Sequence, residues 1–103
     1  MPQFVIIARD GRDAEALARR LAARPAHFEG IGPMVARGEI LVGGAMLDGE
    51  GKMTGSVVIV EFDSRADLDA WLAREPYVTG DVWRDIEGVP FRTAVPDAFK
   101  PKG

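Results

Sequence analysis

His27 is the single histidine of the chain. It is the one side chain whose ordinary proton affinity lies near neutrality, so acid–base chemistry would start there. A helix opening at Arg24-Pro25 would hold His27 at about its third residue, near the positive end of the dipole, which favours neutral imidazole and hence a proton acceptor. Asp10, at the end of the first expected strand, and Glu75, at the end of the last expected helix, are the acids a compact fold would bring closest to the ring. Either would orient it. Ser56 can donate to a ligand oxygen, Arg24 can hold an anionic group, and backbone N–H groups near Gly44 can add further donors. Each also has an ordinary structural role: a capping histidine, a serine closing a strand-edge hydrogen bond, a solvated arginine. Trp71 and Trp83 could line a pocket for an aromatic ligand, though packing in the core is the usual use of such rings.

Composition removes most other chemistries. Without cysteine there is no thiolate nucleophile, disulfide or cysteine-bound zinc. No G-x-S-x-G, phosphate-loop or G-x-G-x-x-G pattern occurs, so serine-hydrolase and nucleotide-binding readings have no support. One imidazole is a poor basis for a transition-metal site, and neither a metal nor an organic cofactor is expected. The net charge is −3 and the basic residues are scattered, which argues against nucleic acid as a partner. No apolar run approaches the roughly 20 residues that span a bilayer. The beginning, MPQFVIIARD, lacks a basic region and a cleavage site, so a cytoplasmic protein is expected. At 103 residues, with 47% hydrophobic and 28% charged, the chain suits one globular domain over residues 1–95 and a proline-bearing tail over 96–103.

The elements that must position these groups follow from periodicity. Gln3 to Arg9, Glu39 to Met46, Thr54 to Asp63 and Val82 to Thr93 are extended, with β-branched and aromatic residues of both parities. Gly88 and Pro90 confine the last of these to an edge or a bulge. Gly43-Gly44 marks a bulge, a close approach by a backbone or ligand, or a simple kink. Asp48-Gly49 and Glu50-Gly51 supply a hairpin turn between the second and third strands. Between the first two strands, Ala14, Leu17, Ala18 and Leu21 form a helical stripe that Pro25 is expected to interrupt. A second segment then carries Phe28, Ile31 and Val35 inward and stops at Gly38. Ser64 caps the last helix, with Asp67 three residues on, and Ala66, Leu68, Trp71 and Leu72 face inward. Pro76 stops that helix, and Tyr77 to Asp81 is a short connection.

The order β, α, β, β, α, β is the ferredoxin-like arrangement, an α+β fold with a four-stranded antiparallel sheet. Val57 to Val60 are four β-branched residues in a row, so Val57 and Ile59 line one face of the sheet and Val58 and Val60 the other. Both helices cover the same face. A lone subunit would leave an apolar sheet face wet, and a homodimer packed face to face is the expected remedy.

Arg20 to His27 (RLAARPAH), Leu41-Val42-Gly43-Gly44, Thr54-Gly55-Ser56, Glu75-Pro76-Tyr77-Val78 and Val89-Pro90-Phe91 together resemble the YciI-like, or YCII-related, proteins over about residues 3–94. The resemblance implies a dimeric α+β barrel and an active site centred on a histidine and an aspartate. His27 matches the histidine. Glu75 stands where the family's Asp-Pro-Tyr/Phe pattern has aspartate, with Tyr77 of the same pattern on the substrate side; Asp10 is the alternative acid. Glycines and a proline after His27 also depart from the family's longer polar helix. One member is linked to removal of chloride from a hydroxylated aromatic ring.

These readings converge on a small-molecule enzyme: proton transfer, elimination or hydrolytic dehalogenation with His27 as base, Glu75 or Asp10 as orienting acid, and Arg24, Ser56, Gly44 and Tyr77 at the substrate. A non-catalytic dimer binding a small ligand or a protein is the competing expectation. A haem-using or cofactor-free monooxygenase has less behind it, since the one histidine is assigned to a helix end.

Overall fold

The computed structural model describes residues 2–94; the expected tail over 96–103 lies outside the described residues. The elements are β1 (Gln3–Asp10), α1 (Ala16–Ala36), β2 (Ile40–Leu47), β3 (Met53–Glu61), α2 (Arg65–Arg74), α3 (Pro76–Thr79) and β4 (Trp83–Phe91). They form one four-stranded sheet in the order β2-β3-β1-β4, every neighbouring pair antiparallel. This is the ferredoxin-like α+β fold expected from the sequence. No described helix is long and apolar enough to cross a membrane.

Alternation along the strands divides the sheet as its sequence requires. Phe4, Ile6, Ala8, Val58 and Val60 are buried and pack with Leu68 and Trp71 of α2, and with Tyr77 and Trp83, in one core. On the opposite face, Val5, Ile7, Val57 and Ile59 are half-buried, and Val42, Val89 and Phe91 are exposed. Pro90 sits on β4 at the sheet's edge, where the N–H it lacks need not join a ladder. The register across Gly43 and Gly44 is unbroken, so there is no bulge there; the irregularities fall between Ile40 and Val42 and between Met46 and Leu47.

Helix α1 differs from its expected form. It runs continuously through Pro25 and Pro33. Each proline removes one intrahelical bond, to the carbonyls of Leu21 and Glu29. Both prolines and both of those partners are exposed, so the wet side of the helix bears the loss. The helix also buries a different face from the apolar stripe: Ala16, Arg20, His27 and Met34 point inward, with Ile31 half-buried. Leu21, Phe28 and Val35 are instead about half exposed, at 50%, 51% and 53%. The polar pair Arg20 and His27 wins the inward positions because partners wait for both, as described below.

Gly38 ends α1 as expected. Its φ of +78° suits glycine, its N–H reaches the Val35 carbonyl at 3.1 Å, and the Glu39 N–H reaches that of Met34 at 2.9 Å. Ser64 caps α2 by accepting from the Asp67 N–H at 3.2 Å. Of the expected inward stripe on α2, Leu68 and Trp71 are buried and Leu72 half-buried, whereas Ala66 is exposed. The segment after Pro76 is a short helix, α3, rather than an irregular connection, with Pro76 in its first turn.

Candidate active site

Glu75 is the residue between α2 and α3, held extended by the proline that follows it. From that joint its side chain folds back. Oε1 accepts the Tyr77 N–H at 3.3 Å, capping α3, and the same oxygen meets Nδ1 of His27. The extra methylene of glutamate therefore does not keep the carboxylate from the imidazole. Glu75 is 2% exposed and His27 8%. A carboxylate so buried favours a donor opposite it, which places the proton of a neutral ring on Nδ1 and leaves Nε2 with its lone pair. Among the described residues Nε2 has no hydrogen-bond partner.

Aromatic rings fix the imidazole from the side. Tyr77 stacks on it at 4.0 Å between centroids with 16° between the planes, and the Trp83 ring packs T-shaped with its centroid 6.0 Å away. The Arg20 guanidinium lies over the Tyr77 ring at 4.8 Å. Burial raises the Tyr77 phenol above its ordinary value, against the opposing charges of Arg20 and Arg24, so the hydroxyl stays protonated at neutral pH.

Arg20 organises a second cluster. Its Nη1 donates to both Asp10 oxygens at 3.1 Å, and Nη2 donates to Ser56 Oγ at 2.8 Å. Trp83 Nε1 donates to the same oxygen at 3.2 Å. Asp10, expected as an alternative partner for His27, is thus taken by Arg20. The side chains of the ion pair are 4% and 3% exposed. Desolvation raises the Asp10 carboxyl above its ordinary value, with the charge and hydrogen bond of Arg20 opposing. Arg20 Nε is buried without a partner among the described residues.

Both clusters border one cavity of about 470 Å³, a size suited to a small molecule. Arg20, Arg24, His27, Ser56 and Tyr77 line it, with Gly43 and Gly44 of β2 opposite α1. Phe28, Ile31 and Val35 form an apolar wall, so Phe28 and Val35, though half exposed, border the cavity. Arg24 holds its guanidinium 4.9 Å over the Phe28 ring. A side chain at Gly44 would meet nothing within 4 Å, so close packing is not what calls for glycine there. Trp71 and Trp83 are buried in the core, and Trp71 also reaches the cavity. Among the described residues no group of three or more His, Asp or Glu side chains is placed to hold a metal ion.

The unbroken α1 also changes the electrostatics of His27. The ring lies in the interior of the helix, away from its N-terminal end, and the group that meets it is Glu75. Arg20 is the central residue that the sequence reading missed. Its spacing of seven from His27 puts both on one helix face, but only when the helix passes through Pro25.

The family model for the YCII-related domain matches residues 2–92. The chain belongs to the YCII-related family. The YCII-related relatives include protein YciI of Escherichia coli O6:H1, 36% identical over 95 residues covering 86% of this chain and 95% of that one. An uncharacterised protein of Haemophilus influenzae is 33% identical with the same coverage. Among solved structures, 5-chloro-2-hydroxyhydroquinone dehydrochlorinase from Burkholderia phenoliruptrix AC1100, in complex with 2,5-dihydroxybenzoquinone, superposes with a TM-score of 0.79. It is 23% identical, with 89% of this chain and 95% of that one covered. A dimeric ferredoxin-like protein of unknown function from Jannaschia sp. CCS1 gives a TM-score of 0.52 at 15% identity, covering 90% of this chain and all of that one. At these identities the two structures bear on the fold.

Proposed function

We propose that this YCII-related protein is a small-molecule enzyme that removes a proton, with elimination of a halide from a hydroxylated ring as the reaction class. The observation that carries the reading is the buried contact of Glu75 with His27 Nδ1 beside the cavity. Glu75 orients the ring, and Nε2 takes a proton from the substrate. The halide leaves with its bonding electrons, so the elements of HX are lost and no oxidant is consumed. Ser56 and backbone N–H groups near Gly44 hold a substrate oxygen, and Arg24 and Tyr77 border the bound molecule. The fold shared with a dehydrochlorinase supports the choice of reaction class. Hydrolytic dehalogenation and simple proton transfer use the same base.

The argument for a non-catalytic binder is glutamate in place of aspartate. Glu75 reaching the imidazole weakens that argument. The working unit in this reading is a homodimer joined through the face bearing Val5, Ile7, Val57 and Ile59, the α+β barrel arrangement; the dimeric ferredoxin-like neighbour supports it. The test is His27→Ala assayed for halide release from chlorinated hydroquinones. Loss of release by at least about 100-fold is expected; equal turnover by variant and parent ends the reading.

A further inference from the structure

Resting on that reading of the cavity, we propose that its substrate binds as an oxyanion: a flat, largely apolar molecule with one ionised oxygen, such as a phenolate, enolate or carboxylate. Ser56 donates its hydroxyl hydrogen to this oxygen and Arg24 balances the charge.

The direction of the Ser56 hydrogen follows from valence. Both protein groups that bond Oγ, the Arg20 guanidinium and the Trp83 indole, are donors without acceptor capacity. Oγ therefore accepts twice, and its own hydrogen is what remains to be used. Among the described residues that hydrogen has no acceptor, and Ser56 borders the cavity. The bond from Arg20 draws electron density from Oγ, making the hydroxyl a stronger donor.

Charge points the same way. Among the described residues Arg20, Arg24 and His27 line the cavity, and no aspartate or glutamate does. Arg20 is neutralised from behind by Asp10, and His27 faces Glu75. Arg24 has no carboxylate partner among the described residues, and its guanidinium lies over the Phe28 ring at the cavity wall. One cation is thus left uncompensated at the cavity. The wall of Phe28, Ile31 and Val35 matches an apolar body rather than a second charge.

Calorimetric titration of the full chain with benzoate and with its neutral isostere benzamide, near neutral pH, tests this. Benzoate is expected to bind at least about tenfold more tightly, a preference that salt weakens. Arg24→Gln should reduce the preference to within about threefold, and Ser56→Ala should weaken benzoate about tenfold, the worth of a hydrogen bond to a charged group. If Ser56→Ala fails to fold, the exposed Arg24→Gln variant still decides. Equal binding of the two probes, benzoate binding untouched by Arg24→Gln, or no benzoate binding to the parent protein overturns the proposal. His27→Ala separates it from the catalytic reading: the benzoate preference should survive in that variant even though turnover does not.

Discussion

The Glu75 carboxylate meets the His27 imidazole across 48 residues of chain, tying the joint between α2 and α3 to the interior of α1. With a carboxylate opposite Nδ1, hydrogen-bond chemistry calls for the hydrogen of the neutral ring on Nδ1, in a residue that lines the cavity. Nitrogen-15 NMR of the histidine ring should show a protonated Nδ1 and an unprotonated Nε2 in the neutral form. Glu75→Gln, which keeps the size and removes the charge, should lower kcat by about 10²–10⁴ and mix the tautomers. Glu75→Asp should cost about 100-fold through displacement of the carboxylate. A parent spectrum dominated by hydrogen on Nε2 would refute the assignment.

Tyr77 supports the dyad through its ring. Stacked on His27 at 4.0 Å and buried at 2% exposure, it also carries part of the core. Tyr77→Ala should cost about 3–5 kcal/mol in urea unfolding by leaving a cavity, whereas Tyr77→Phe keeps the ring and should stay within about 1.5 kcal/mol of the parent. Equal destabilisation by the two changes would mean that the hydroxyl, not the stack, matters.

The Asp10 and Arg20 pair predicts a pH dependence of stability. Burial holds the Asp10 carboxyl above its ordinary value of 3.8 while Arg20 opposes the rise. A raised value in the folded state means that the folded chain binds the proton more readily. Its stabilising contribution is complete below the ordinary value and is lost as pH climbs through the raised one. Arg20→Met removes the opposing cation and pushes the folded value higher still. The variant should lose about 3–5 kcal/mol at neutral pH, where a buried carboxylate is left unpaired. At about pH 4 the loss should shrink, because protonation removes that charge. Adding Asp10→Asn should recover much of the neutral-pH loss. A deficit of the same size at both pH values would show that the carboxylate charge is not the cause.

Alternation and turn chemistry made the sheet readable from sequence: the Val57 to Val60 run, the Asp48 turn and the glycine at 38 each have one local meaning, and the structure uses it. Helix α1 was less transparent. A proline inside a helical pattern normally marks a boundary, and the spacing of Leu17, Ala18 and Leu21 advertised an inward stripe. Neither signal contains the tertiary facts that decide the case, namely that Asp10 lies where Arg20 can reach it and Glu75 where His27 can. Placing His27 at a helix start followed from the same misreading of Pro25. The candidate acids were nameable because the fold brings the ends of β1 and α2 to one side of the sheet. Which acid meets the imidazole depends on side-chain reach, which periodicity does not encode.

The open face of the sheet carries the last prediction. Val5 and Ile7 of β1 lie beside Val57 and Ile59 of β3 by strand register, and Val42, Val89 and Phe91 extend the patch while remaining exposed. The edges are charged: Arg9 pairs with Glu87 at 3.2 Å, and Gln3 donates to Glu61 at the opposite end. An apolar centre within a polar rim is how a specific interface is built. Sedimentation should give twice the mass of one chain, and Val57→Asp should return a folded single subunit, since the side chain lies on the face away from the core. Cavity binding of benzoate by that monomer would show that one subunit completes the site, and its loss that the partner shapes the cavity wall. A parent protein that sediments as a single chain would refute the dimer and leave the apolar face without a role.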